Sequence, residues 1–301
     1  MKTKIIVRPT GPGRTPMITT ALWYDYSHIA RCKLRTRKCA DGIRRPIKTR
    51  RYSKPVEDID PIKYFRHRSV VSVDQAKFKK TGKNSHYIQC GVILSPARES
   101  GYSMCTHCSP GCESACLKSS GQLVFSTAKR ARILRTRLFL FHRAKYLEYV
   151  GRDLAKLRRK AHALGKILVT RFDTLSDTNT LSIYRELMES NPLDGFVDYT
   201  KDPRKYQAYL SGSSAPNHHL TFSRSEINHC QARYFVAAGG TSTVVVRTQE
   251  ALARCLAHGY DGFPAVDGTL SDRRWEDPRG HWVLLLALGK AKTDKSGFVV
   301  D

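Results

Sequence analysis

The sequence is short of acid. Against 52 lysines and arginines it carries only 26 aspartates and glutamates, a formal net charge of +26 at pH 7 over 301 residues. So strong an excess of cation suits a polyanionic partner, and nucleic acid is the usual one. Long apolar runs are missing too. The opening Met-Lys-Thr-Lys-Ile-Ile-Val-Arg-Pro holds three apolar residues in a row, too few for a signal-peptide core, and no stretch approaches the roughly 18 apolar residues of a membrane span. No Lys/Arg-rich amphipathic helix with a bulky apolar face stands near a terminus, so a membrane surface is not an expected partner. A cytoplasmic protein with reduced thiols is expected instead. No G-x-x-x-x-G-K-[ST] phosphate loop occurs, which leaves nucleotide hydrolysis without support. None of the 11 histidines is followed by another two positions later, so the His-hydrophobic-His metal motif of rolling-circle initiators is absent. His218 and His219 are neighbours, and on a strand they face opposite ways.

Cysteine, by contrast, is concentrated. Four of the nine cysteines fall in Cys105-Thr-His-Cys108-Ser-Pro-Gly-Cys112-Glu-Ser-Ala-Cys116. Ser109-Pro110-Gly111 forces a turn at the centre, so the thiols on either side can converge. Three chemistries compete for them: a structural zinc, which wants four ligands in a closed tetrahedron; a [4Fe–4S] cluster, for which such short spacings are common; and unligated loop thiols. Cys105, Cys108, Cys112 and Cys116 are the candidate ligands, with His107 as a substitute. Cys90 falls inside a strand and is expected in the core, and Cys230 and Cys255 are expected to pack from helices.

Residues 1–84 read as a basic, largely irregular extension. Arg35, Arg37, Lys38, Arg44, Arg45, Lys48, Arg50 and Arg51 crowd a stretch interrupted by Pro46 and Pro55, and such an arm suits contact with phosphates as well as it suits a solubilising tail. Tyr64, Phe65, Val70, Val71 and Val73 point to a short strand or packed extension. From 85 to 301 the pattern is regular. Apolar, β-rich runs at 86–94, 166–171, 195–199, 219–223, 241–247 and 281–288, with a shorter one at 263–267, alternate with helical patterns, the longest over 124–163 and divided at Gly151. Alternation of this kind means an α/β fold with parallel strands and right-handed crossovers. An open or partial (βα)6 barrel is expected, with a doubly wound sheet as the alternative.

In either architecture chemistry belongs at the C-terminal strand ends. The cysteine loop follows the first strand there. Asp173, Asp198, Lys201 and Arg224 are the candidate catalytic groups, Arg224 having the fork that grips a carboxylate or phosphate. Asp177, Ser223 and Arg247 are candidates for cofactor binding. For Asp173 and Asp177 a loop-capping role is the alternative, and Asp267 and Asp272 serve equally as turn residues.

Ser95-Pro-Ala97 through Ser119, Asp198-Tyr-Thr-Lys201, His219-Leu-Thr-Phe-Ser-Arg-Ser225, Val266-Asp-Gly268 with Asp272, and Gly289-Lys-Ala-Lys292 with Ser296-Gly-Phe298 together resemble the phage gene product 88 family. The resemblance covers about 90–301 and leaves out the basic arm. It implies a phage origin, in an infected host cell, and a shared C-x6-C-x3-C set matching Cys105, Cys112 and Cys116, with Cys108 and His107 as additions. Three thiolates with a vacant fourth position suit an iron–sulfur cluster better than structural zinc. A cysteine loop after the first strand of a partial barrel is also distantly similar to radical S-adenosylmethionine enzymes, which implies that cofactor. The usual C-x3-C-x2-C is not kept here, since Cys116 comes one residue late, and no Gly-Gly-Glu follows the second strand. The resulting expectation is a phage-associated iron–sulfur or zinc protein acting on nucleic acid or nucleotides. Its alternative is a non-enzymatic DNA- or RNA-binding protein of phage replication with a structural metal.

Overall fold

The protein is represented by a computed structural model that describes residues 55–73 and 86–301, together with the backbone of two short strands at 36–38 and 44–46. The chain divides into two compact units, 1–59 and 60–301. In the first, Thr36–Lys38 (β1) pairs antiparallel with Arg44–Pro46 (β2), in a register that sets Arg37 opposite Arg45 and Lys38 opposite Arg44. Pro46 excludes helix but is tolerated at a strand end. Arg35, Lys48, Arg50 and Arg51 lie outside the described residues.

The second unit begins with a short helix, Pro61–Phe65 (α1), capped by the Asp60 carboxylate at the amides of Ile62 and Lys63. Val71–Ser72 (β3) then pairs antiparallel with Tyr87–Val92 (β4). Parallel strands follow at Ile167–Arg171 (β5), Gly195–Thr200 (β6), His218–Ser223 (β7), Ser242–Val246 (β8), Ala265–Asp267 (β9), Trp282–Leu286 (β10) and Val299–Val300 (β11). The six long runs seen in the sequence are thus all strands, and the sheet has the spatial order β3-β4-β5-β6-β7-β8-β10-β9. From β4 to β8 sequence order and spatial order coincide, which removes the doubly wound alternative, since that fold needs a point where the order reverses. The result is a mixed α/β fold on a nine-stranded, mostly parallel sheet. The sheet is open, its path running from β3 to β9.

Two features explain the departure from a barrel. On one face, Tyr87 and Gln89, Val169 and Arg171, Val197 and Tyr199, and His219 and Thr221 share the period-two alternation of neighbouring strands. The segment 268–281 between β9 and β10 covers that face. Trp275 meets Tyr87 edge-on at 5.2 Å, and Arg274, 1% exposed, is paired with Asp277 at 3.1 Å. A loop fills the space that a closed barrel would have made its interior. At the other end, β10 occupies one edge of β8 throughout, while the opposite edge is shared: Ser242 and Thr243 pair with β7, Val245 and Val246 with β11. The strands β7 and β8 therefore splay apart and the C-terminal strand enters the gap.

Helices pack on the opposite face, as right-handed crossovers between sequential parallel strands require. Ser126–Phe141 (α3) and Arg143–Ala163 (α4) fill the interval between β4 and β5. The break falls at His142, whose φ of −139° leaves the helical region, and Gly151 stays inside α4 instead of dividing the region. Gly165, at φ +62°, stops α4 as expected. Phe172 stacks on Tyr184 at 3.8 Å and on Phe196 at 5.5 Å, and Tyr146 and Tyr184 share a hydrogen bond of 2.7 Å. Cys90 and Cys255 are buried as expected, but Cys230 is exposed, because it lies on the outer side of the helix His229–Ala237.

Candidate functional site

The cysteine loop, the loops after β5, β6 and β7, and the C-terminal segment meet at the C-terminal ends of the strands. Cys105 forms a parallel bridge with Asp177, and the Asp177 amide donates to the Met104 carbonyl at 2.9 Å. A short helix, Pro110–Ser114 (α2), carries Cys112. Ser109 caps it by accepting from the Cys112 amide, and Pro110 stands at its first position, where no amide donor is needed. Glu226, from the loop after β7, accepts from the Ser109 hydroxyl at 2.6 Å and the Gly111 amide at 2.8 Å. Any side chain at Gly111 would run into Ser296 and Glu226, so the approach of these three segments requires glycine there. Cys112 itself rests against Ala115, Ala287, Ala291, Phe298 and Val299.

All seven described cysteines are free thiols. Cys105, Cys108, Cys112 and Cys116 lie close enough to interact electrostatically, with Cys112 acting on each of the other three. Burial pushes the Cys105 thiol up to about 12, against a hydrogen bond from the Ala97 amide that favours the thiolate. Burial likewise raises Cys108 and Cys116, and for Cys108 the Lys201 ammonium partly offsets the rise. Lys201 donates to the Ser223 hydroxyl at 2.7 Å. That places a cation, a hydroxyl and the thiols on one rim.

Behind this rim lies a second polar cluster. Asp173, 1% exposed, accepts from Ser176 Oγ at 2.6 Å and from the Thr178 amide at 2.8 Å. Asp198, equally buried, accepts from the Asp173 amide at 2.6 Å and lies 3.5 Å from His218 Nε2. Asp177 accepts from Thr200 Oγ1 at 2.8 Å and the Lys201 amide at 2.7 Å. Lys205, from the first turn of Pro203–Leu210 (α7), binds them together at 3.3 Å from Asp177 and 3.8 Å from Asp173. Burial holds Asp173 up at about 6, against the pull of Lys205. For Lys205, burial acts downward, but Asp177, Asp173 and Asp198 outweigh it and the ammonium is raised. Asp173 and Asp198 thus have the surroundings of loop and strand organisers, and only Asp177 reaches the cysteine loop, through its backbone.

Arg224 donates to the carbonyls of Gly297 at 2.6 Å and Phe298 at 3.0 Å, and Arg247 to the Lys292 carbonyl at 3.0 Å and to Asp301. Both brace the C-terminal segment that floors Cys112. Sequence reasoning missed Lys205, Glu226 and His218. Lys205 had a signal, a lysine one turn inside a helix that Asp202 caps in Asp-Pro fashion. Glu226 had none, because its partners are 117 and 115 residues distant.

A thiol set of this kind suits zinc or an iron–sulfur cluster. As the side chains stand, no group of three or more His, Cys, Asp or Glu among the described residues is in position to hold an ion, so binding requires the loop to draw its thiols together. The face under segment 268–281 is closely packed. The cavity bounded there by Gln89, Val169, Arg171, Val197, Tyr199 and Asp272 measures about 10 Å³, room for one water.

Among known proteins, the family model described as Gene product 88 matches residues 69–301. No curated protein and no solved structure matches the chain. No helix among the described residues is long and apolar enough to cross a membrane.

Proposed function

Because the chain belongs to the Gene product 88 family of phage proteins, we propose that it is a thiolate metalloprotein whose iron–sulfur or zinc centre sits on the rim at the C-terminal strand ends and serves chemistry on nucleic acid or a nucleotide. One observation carries this reading: four thiols from one loop share a patch centred on Cys112, beside the Lys201–Ser223 pair. Cys105, Cys112 and Cys116 would be the ligands, with Cys108 as the fourth. When bound, the metal supplies Lewis-acid or electron-transfer chemistry. The chain's own part is to hold and orient. Glu226 and Ser109 fix α2, Arg224 and Arg247 fix the floor under Cys112, and Lys201 presents a positive charge to an anionic substrate or to the thiolates themselves. No step is routed through S-adenosylmethionine.

Anaerobic purification of the full chain tests the reading. Brown protein with broad absorbance near 400 nm, or one tightly held zinc per chain, lost in either case on Cys112→Ser, is expected. Wild-type protein carrying neither iron nor zinc after reconstitution would remove it. The second reading is a non-enzymatic DNA- or RNA-binding protein with a structural metal. The basic β1–β2 hairpin favours it, and its mark is a colourless zinc protein that unfolds when the metal is chelated.

A further inference from the structure

A separate part of the molecule carries its own positive surface. The helix α4 turns one stripe away from the core. Lys156, Arg159 and Lys160 fall within one side of it at spacings of three and four residues, over about 6 Å of helix. Lys156, Arg159 and Lys160 are exposed. Beside them the turn Arg66-His67-Arg68-Ser69 is held out from the surface by two neighbouring residues of α4. Arg152 donates to the carbonyls of Arg66 at 2.8 Å and Arg68 at 2.9 Å. Asp153 accepts from Ser69 Oγ at 2.8 Å and the Val70 amide at 2.6 Å. The turn is thereby fixed, with Arg66 exposed and the Arg68 guanidinium lying over the Tyr64 ring at 4.5 Å.

Carboxylates do not neutralise this face. Of those on α1, the turn and α4, Asp60 caps α1, Glu148 pairs with Lys145 at 2.7 Å, and Asp153, buried beneath the turn, is taken up by Arg152 at 2.9 Å, which leaves Lys156, Arg159 and Lys160 unpaired among the described residues. Arg158, which points elsewhere, has the partner Asp194 at 2.6 Å. An uncompensated row of cations of this length, flanked by a rigid basic turn, matches the charge and spacing of a sugar–phosphate backbone. One strand of a duplex presents a phosphate about every 3.4 Å along the axis, so two or three fall within reach of the helix cations. We propose that the α4 stripe and the 66–69 turn form a nucleic-acid backbone-binding face of the folded unit. It is separate from the N-terminal basic arm and does not depend on the thiol rim.

The test uses the full chain and fluorescence anisotropy with labelled 20-mer DNA and RNA, single-stranded and duplex, over a range of salt. Lys156→Gln/Arg159→Gln/Lys160→Gln should weaken binding on the order of tenfold or more and lower the slope of log K against log salt by about 2 to 3. Arg66→Gln alone should lower it by about 1. A control with the same charge loss elsewhere, Arg254→Gln/Arg279→Gln/Lys295→Gln, should leave the slope nearly unchanged. Circular dichroism melts establish that each variant is folded, and the single Arg66 variant carries the test if the triple variant is not. Equal losses in the α4 variant and the control would overturn the proposal. So would wild-type protein that binds phosphatidylserine vesicles but no nucleic acid at low salt.

Discussion

The two polar clusters at the C-terminal ends of the strands sit side by side and are built on opposite principles. In the inner one, Asp173, Asp177, Asp198 and Lys205 consume one another, and nearly every oxygen has a short hydrogen bond. In the outer one, four thiols share a patch and have little to bond to. Cys105 has an amide and a carbonyl at 3.3 and 3.5 Å, and the thiols otherwise raise one another's proton affinity. The inner cluster is the more fully partnered of the two, with the Asp198 Oδ2 and His218 Nε2 pair its one buried gap. The thiols have few hydrogen bonds by comparison. Position at a strand end is common to both, so the degree of partnering is what separates them.

The largest effect should come from breaking the closed cluster. Lys205→Met leaves the buried Asp173 and Asp198 and the part-buried Asp177 without their cation and should cost about 3 to 5 kcal/mol, read by urea denaturation. A cost below about 1 kcal/mol would mean that the cluster is not part of the framework.

Next in size is the dependence on pH. Asp173 is held at about 6 against an ordinary 3.8, so the folded chain keeps a proton that the unfolded chain loses. Its contribution is complete below the unfolded value and is lost as pH rises through 6, about 3 kcal/mol in all. His219, on the loop-covered face, runs the other way. Burial holds it down at about 4 against 6.5, so stability falls as pH drops through that interval, again by about 3 kcal/mol. Asp277, also raised to about 6 by burial, acts in the sense of Asp173. Stability against pH between 4 and 6.5 should therefore slope more steeply upward in Asp173→Asn than in His219→Gln. Identical slopes would mean that neither group is buried as described.

The join between the clusters and the loop should be of intermediate strength. Glu226→Gln weakens the charge-assisted acceptor of Ser109 Oγ and the Gly111 amide, and should cost about 1 to 3 kcal/mol while speeding alkylation of Cys112. Unchanged alkylation would detach Glu226 from the site. Smallest of all, Cys108→Ser in metal-free protein should change stability by less than about 1 kcal/mol, in contrast to Lys205→Met. A large loss there would place Cys108 in the framework and erase the distinction.

Much of the fold was legible because its signals are local. Apolar runs bounded by glycine and proline gave the six long strands, and Gly165 marked the end of α4. Where local signals conflicted, a weak one was overrated. Gly151 looked like a helix break, yet a single glycine costs a long packed helix only about 1 kcal/mol, and the chain turned at His142. The cysteine loop was legible as a site by density alone, whereas the roles of Asp173, Asp198 and Arg224 were not. A charged residue after a strand reads the same whether it faces solvent, a buried lysine or a distant carbonyl, and each of these found its partner through tertiary contact.

By itself, then, the sequence determined the α/β class, the strand order along the chain, the excess of cation and the clustering of four thiols after the first core strand. These depend on residue type and spacing over one element. Only the tertiary structure decided what keeps the sheet from closing: segment 268–281, with its Arg274, fills the face a barrel would enclose. It alone brought Glu226 to the cysteine helix and Lys205 to the three carboxylates. Such pairings follow from which strands become neighbours: Lys205 by the cost of leaving buried charges without a counter-ion, and Glu226 by the cost of leaving a carboxylate without hydrogen-bond donors.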